Sequence, residues 1–391
     1  MPPSTSFAAV ALALLTVAVS PHGGVMAAKA SADTTCPCGY TINATASHFT
    51  TRLETDFFHV SNLSQQADVW TPQAYNVSPS VANGPFRKAA QLRNVVPNPL
   101  ASTWDWGGDG QGGGDPGLQF WVRSELVGDM VPMSELVSVQ GEIRYGSFRI
   151  GMRTTPVNGT CGAFFFYFSD SEEIDMEFLS KQQVQTSTSS GTGNASVNLV
   201  IQSPASAKQG YVSPGSPDFK PTVLPGFSAA EGYHEYRFDW FPERVDFYAD
   251  SQLLSSMTDN VPDAAGRLHI VHWSNGNEGW SAGPPTQDAV LTVSYVKAYL
   301  NTSGDDGHDG GECASGGNER RCVVPDQRTP PDPTGADGNV TGKTFFFSDP
   351  IRNATAARSG ARSQRVGAMV SSLLWPAVSV VLVSLITEGL I

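Results

Sequence analysis

The chain has 391 residues, 40% of them hydrophobic and 16% charged, with 39 glycines and 27 prolines. That is a loop-rich composition, long enough for one large β domain with appendages. The 37 acidic residues outweigh 24 lysines and arginines, and the net charge of −13 argues against a nucleic-acid partner.

Phe7 to Ser20 (FAAVALALLTVAVS) is an apolar run too short for an ordinary membrane span and is followed by small residues. It predicts a secretory signal over residues 1–30, ending at Ala28-Lys29-Ala30, although no Lys or Arg precedes the run. Sequons at Asn43, Asn62, Asn76, Asn158, Asn194, Asn301, Asn339 and Asn353 fit a secreted chain and predict glycosylated surface loops. Five cysteines follow the signal: Cys36, Cys38, Cys161, Cys313 and Cys322. In an oxidising compartment they pair and leave one over. Cys313 and Cys322 are near enough for a local loop, and Cys161 is expected to bridge to Cys36 or Cys38. C-x-C lacks the spaced histidines of a zinc site, so no metal is predicted.

Residues 31–303 read as the folded domain. Val60 to Leu100 mixes Pro, Asn and aromatics and predicts loops and edge strands. Thr103 to Gly117 (TWDWGGDGQGGGDPG) lacks the GK[ST] ending of a phosphate loop and predicts a mobile Gly-rich loop. Leu118 to Ile150 alternates as two or three strands. Pro156, Asn158 and Gly159 then turn the chain into AFFFYF from Ala163, where Phe165 and Tyr167 point opposite to Phe164, Phe166 and Phe168.

The next stretch carries Glu173, Asp175 and Glu177 at every second position, with Ile174, Met176 and Phe178 between and after them. That is a strand with one buried and one open face. Acids are poor strand formers and three on one face repel one another, so folding alone does not select them. Closely spaced carboxyls, however, push their pKa values apart and leave one protonated beside an ionised neighbour. Glu173 and Glu177 are about 13 Å apart along a flat strand, and converging side chains on a curved one close that gap to about 5–5.5 Å. The alternative is a solvated acidic face.

Ser180 to Gly193 predicts a loop, and Val197 to Gln202 a strand with Asn198 and Gln202 on one face. Ser203 to Ala230 is a long Pro/Ser/Gly loop. Tyr236, Phe238 and Trp240, then Val245, Phe247 and Ala249, form a hairpin around Pro242-Glu243-Arg244 with an apolar inner face, and Trp240 is expected in the core. Residues 304–352 read as a disordered, glycosylated linker holding Cys313 and Cys322. Val366 to Ile386 is apolar and uncharged, with Arg358, Arg362 and Arg365 before it and no Lys or Arg after it. That opposes a stable transmembrane anchor and fits a GPI signal over 353–391. Asn353-Ala354-Thr355 is the preferred attachment site and Ser359-Gly360-Ala361 the runner-up.

Tyr145–Phe178, His234–Asp250, and HWSNGNEGW (His272–Trp280) with the strand ending at Tyr299 together resemble glycoside hydrolase family 16. The resemblance implies an all-β jelly-roll sandwich of the concanavalin A-like type with a concave groove, acting on β-glucans with retention. It places Glu173 as nucleophile, Asp175 as assisting acid and Glu177 as acid/base. It also brings Trp273 and an amide of the Ser274–Asn277 segment near bound sugar, and leaves a structural calcium open; no other cofactor is implied. Trp104, Trp106 and Asn198 are candidate sugar contacts, with ordinary packing or solvation as the alternative for each.

The expectation is therefore a monomeric, secreted, GPI-anchored cell-surface enzyme of fungal cell-wall type with a polysaccharide substrate. It would hydrolyse β-1,3 or mixed β-1,3/1,4-glucan; transglycosylation and an inactive glucan-binding module are the alternatives.

Overall fold

A computed structural model describes residues 36–42, 47–78, 81–183, 187–188, 191–192, 195–210, 214–305, 313, 321–334, 338 and 342–349. The expected signal, the apolar tail and its attachment site at Asn353, and the sequons at Asn43, Asn194 and Asn339 lie outside these residues. Asn62, Asn76 and Asn158 are exposed, while Asn301 is half-buried with its amide bonded to Thr50 and His48.

The first half of the chain runs β1 (Tyr40–Ile42), β2 (Thr51–Asp56), β3 (Trp70–Pro72), β4 (Tyr75–Asn76), β5 (Arg87–Ala90), β6 (Val95–Asn98), β7 (Gly117–Val122), β8 (Met130–Ser138), β9 (Ile143–Arg153), β10 (Cys161–Ser169) and β11 (Glu172–Leu179). A small pair, β12 (Ser187–Thr188) and β13 (Gly191–Thr192), precedes β14 (Ser196–Gln202) and the single turn-and-a-half helix α1 (Pro204–Gln209). Then come β15 (Phe219–Val223), β16 (His234–Phe241), β17 (Arg244–Ala249), β18 (Gln252–Met257), β19 (Arg267–Trp273), β20 (Ala289–Thr302) and β21 (Cys322–Val324).

Two large sheets form a sandwich. One has the order β15-β14-β11-β10-β19-β8-β5-β4, with β3 also on β8; the other has β18-β17-β16-β9-β20-β7-β6, with β2 also on β20. Neighbours are mostly distant in sequence, as in a jelly roll. Period-two alternation sends Phe164, Phe166, Ile174, Met176, Leu199 and Ile270 from the first sheet against Phe148, Ile150, Phe238, Trp240 and Val296 from the second. Trp240, expected in the core, packs on Phe166 with ring centroids 4.3 Å apart and donates its N–H to the Pro262 carbonyl at 2.9 Å. A bulge between Val293 and Tyr295 shifts the phase of β20, so Val293 and Val296 face the core while Tyr295 turns to the outer face.

That outer face is where the structure departs most from the sequence reading. Of the segment expected to be a disordered linker, residues 321–334 and 342–349 fold back over it: β21 pairs in parallel with β1, and Phe346 packs on Tyr295. Beneath them lie Arg149, Glu235, Arg237, Asp239 and Lys297, all buried. Each has at least one partner, Glu235 accepting from the Tyr295 hydroxyl at 2.7 Å. Arg237 forms a two-pronged pair with Asp239 and reaches Asp326 at 3.1 Å; Arg149 donates to the Pro325 carbonyl at 2.7 Å; Lys297 donates to Thr344 at 2.8 Å. The Pro- and Gly-rich composition belongs to an irregular strap held by side chains, which carries no periodicity to read.

Cysteine pairing also differs from expectation. Cys36 bonds to Cys322 and Cys38 to Cys313, so the two ends of the domain are joined, and Cys161 is a buried free thiol. Cys313 and Cys322 do not join each other because both face the C-x-C segment beside β1. Cys161 lies on the opposite sheet, on its other side.

Candidate active site

β11 sits between β10 and β14. Its register places Glu173 beside Tyr167 and Gln202, Asp175 beside Phe165 and Val200, and Glu177 beside Ala163 and Asn198. The predicted alternation is realised: Ile174, Met176 and Phe178 enter the core, which turns the three acids together onto the concave face. The same parity settles the aromatic strand. Phe164 and Phe166 are core, and Phe165 and Tyr167 face the cleft. Phe168 is exposed at the bulge that follows and also lines the cleft.

The acids are deeply set, and burial dominates their ionisation. Glu173 and Glu177 are each pushed up from 4.5 to about 7, chiefly by desolvation. Asp175 is raised well above its ordinary value, first by burial and then by the charges of Glu173 and Glu177. The carboxyls of Asp175 and Glu173 share a hydrogen bond, which requires a proton on one of them. The contact raises the proton affinity of Asp175 and lowers that of Glu173. Gln202 donates to the same Asp175 carboxyl. Glu177 Oε1 accepts from the Trp280 indole at 3.2 Å and from the Cys161 thiol at 3.6 Å.

A cleft of about 1070 Å³ opens from Glu173 and Phe165 across β19 and β8 to Thr71 and Gln73. Along it, Glu135 accepts from the Tyr75 hydroxyl and pairs with His269 Nδ1 at 2.8 Å. His269 stacks on Phe165 with centroids 4.8 Å apart. Lys88 lies with its ammonium 4.3 Å from the centre of the Trp273 ring.

Of the predicted contacts, Trp273 is on the concave side of its sheet, packed with Phe165 and Ala163, and one of its faces is covered by Lys88. Asn198 is buried beside Glu177, and neither of its amide atoms has a partner among the described residues. Trp106 is corrected to packing: it is 4% exposed and stacked on Phe346 over the outer face of the other sheet. Trp104 is 79% exposed and is not among the residues lining the cleft. In the Ser274–Asn277 segment the Asn275 amide is taken by the Ala82 carbonyl and by Asn277 and Ser281, so it shapes the loop. Among the described residues no group of three or more His, Cys, Asp or Glu side chains is arranged to hold a metal ion.

Tyr75, Lys88, Glu135 and His269 were not anticipated as cleft residues, nor Cys161 as a neighbour of Glu177. The signal for two of them existed: Glu135 and His269 are polar at period two among apolar neighbours on β8 and β19. Which face they shared with the acids depended on pairings made across more than a hundred residues.

Residues 102–296 match the family described as Glycosyl hydrolases family 16. A β-glucanase of Bacillus amyloliquefaciens is 28% identical over 142 residues, which are 35% of this chain and 51% of the relative. The chain thus spans about half the length of the curated relatives it matches. Among solved structures, a Bacillus licheniformis β-glucanase aligns with a TM-score of 0.46 at 19% identity, over 64% of this chain and 98% of that one. A Crh5 transglycosylase aligns with a TM-score of 0.43 at 17% identity, over 64% and 85%.

Proposed function

Because this chain carries a glycosyl hydrolase family 16 domain over residues 102–296, we propose that it is a retaining endo-β-glucanase acting on β-1,3 or mixed β-1,3/1,4-glucan. The observation that carries the reading is the trio on β11: Glu173, Asp175 and Glu177 share one face of the strand, and Glu173 lines an open cleft.

Glu173 is the nucleophile. The contact with Asp175 opposes the burial that raises its proton affinity, and its carboxylate form attacks the anomeric carbon as the glycosidic bond breaks. Glu177 is the acid/base. Burial keeps its proton to near-neutral pH, and the indole and thiol that occupy Oε1 leave Oε2 to carry it to the leaving oxygen. The Glu177 carboxylate so formed then takes the proton of the incoming hydroxyl, which displaces Glu173 and restores the starting configuration. Phe165, Tyr167 and Trp273 offer apolar ring surface to sugar C–H faces, and His269 and Asn198 offer hydrogen bonds to hydroxyls.

The two disulfides favour an oxidising, extracellular setting. With the signal and tail read from the sequence, they support a glycoprotein anchored at the cell surface by a GPI lipid and working on the wall. The test is a time course with laminarin, mixed-linkage glucan and a labelled acceptor oligosaccharide, with Glu173→Gln as control. Rising reducing ends without label incorporation are expected. Label entering polymer with few new ends would replace hydrolysis by transglycosylation. Turnover by Glu173→Gln would remove the mechanism, and glucan retention without turnover would leave a binding module.

A further inference from the structure

A second recess, of about 580 Å³, lies on the outer face of the second sheet, where β6, β7 and β20 run side by side. Alternation builds its floor. Leu118, Phe120 and Val122 take the core side of β7, so Gln119 and Trp121 turn outward, paired with Thr292 and Val290 of β20. The wall is the Gly-rich loop, and the side chain of Asn98 fastens it. Its amide donates to the carbonyls of Gly113 at 3.1 Å and Asp115 at 2.9 Å and accepts from the Gly112 N–H at 2.8 Å. The approach is close enough to require glycine: a Cβ on Gly110 would stand 2.3 Å from the Asn98 amide nitrogen.

Two properties fit the recess to one class of ligand. The first is a fixed aromatic ring. Trp121 is half-buried, and its indole N–H donates to Gln119 at 3.2 Å. The Arg123 guanidinium lies 4.5 Å from the ring centre, is itself held by Asn94 and Asp288, and is not a lining residue. The ring is therefore clamped, with its one polar atom already engaged. The second property is neutrality. Asp115 is the one ionisable residue in the lining, and Arg153 pairs with it at 2.9 Å. A phosphate or carboxylate would find no free cation there, and a cation no free carboxylate. The Ser61 hydroxyl and the Gln111 side-chain amide have no partner among the described residues. A sugar ring meets all of this: its C–H face stacks on the indole and its hydroxyls bond to the free hydroxyl and amide.

We propose that this recess is a second, non-catalytic binding site for neutral polysaccharide, which holds a glucan chain on the face away from the cleft. The choice of β-glucan as the polysaccharide rests on the reading of the cleft above.

The experiment uses particles of insoluble β-1,3-glucan and a soluble β-1,3-linked hexasaccharide. Retention on the particles is measured by sedimentation in Glu173→Gln, so that the glucan stays intact. Adding Trp121→Ala is expected to weaken it about fivefold, the loss of one stacking contact. In the otherwise unaltered enzyme, Trp121→Ala should slow turnover of the particles in step, with kcat/KM on the hexasaccharide within about twofold of the parent. Unchanged retention overturns the proposal, and so does an equal loss on the hexasaccharide, which would place the damage in the cleft. Retention that depends on Trp121 in a protein that turns nothing over would uphold the recess and fault the glucanase reading. Asn62, a sequon, follows Ser61 in the chain. Retention that appears only in Asn62→Gln would mean that attached sugar fills the recess, and would overturn the proposal for the parent protein. If Trp121→Ala does not fold, the indole N–H resonance of Trp121 in Glu173→Gln must shift as the hexasaccharide is added, and a resonance that stays fixed is equally fatal.

Discussion

Replacing Glu177 by glutamine is expected to stabilise the protein at alkaline pH while abolishing turnover. The unfolded chain titrates Glu177 near 4.5, but the folded protein holds that proton to about 7. A carboxyl whose folded value is raised contributes stability that is fully present below 4.5 and is lost as pH climbs through 7. The difference of about 2.5 units corresponds to about 3 kcal/mol at pH 8.5, an upper figure because Glu173 and Asp175 share the site's protons. Glutamine removes the titration and keeps an oxygen to accept from Trp280 and Cys161. Urea unfolding with the disulfides intact, at pH 4 and pH 8.5, measures it. The variant should match the parent at pH 4 and exceed it by about 2–3 kcal/mol at pH 8.5. An equal difference at both values, or a loss at pH 8.5, would refute the claim that burial of this carboxyl is costly.

Asp175→Asn should retain most of the activity, because the amide donates to Glu173 and accepts from Gln202 as the protonated acid does, whereas Asp175→Ala should lose about 10–100-fold in kcat/KM. Near-equal losses in the two variants would count against a protonated Asp175. Trp106→Ala should cost about 3–5 kcal/mol in unfolding measurements and leave KM unchanged, since the ring packs on Phe346 away from the cleft. Asn198→Ala should be neutral for stability, or gain about 1 kcal/mol, while raising KM for glucan; an unchanged KM would leave Asn198 outside the binding surface. Cys36→Ser with Cys322→Ser opens a ring of 286 residues, yet should cost less than the roughly 5 kcal/mol such a ring implies alone. Cys38–Cys313 spans 275 residues of the same chain and keeps the ends together. A full loss on opening the first bridge would show that the second does not form.

The parts of this molecule legible in sequence are those where one face of a strand is buried. Ile174, Met176 and Phe178 declare the inner face of β11, and by exclusion the acids share the other. Trp240 was placed in the core on the same ground. Parity fails where both faces are covered. Arg149, Arg237 and Lys297 lie on the face opposite the core, yet they are sealed under a strap that begins on the far side of an uninformative Gly- and Asp-rich run. Trp106 was ambiguous for the same reason, because its partner Phe346 is about 240 residues away, and no local pattern announces a contact of that span. Lys88 was invisible because a single lysine at a strand end is ordinary, and only the fold sets it on Trp273.

The disulfides and the strap bring the first and last described residues to one place. Cys36 and Phe347 meet in the same apolar cluster with Tyr40 and Tyr299, on the outer face of the second sheet. The cleft lies on the outward side of the first sheet, across the full thickness of the sandwich. Chain that leaves the domain at either end therefore leaves from its back. A tether there would hold the domain like a brush by its handle, free to swivel, with the substrate-facing surface turned away from the point of attachment and open to polymers too long to pass beneath it.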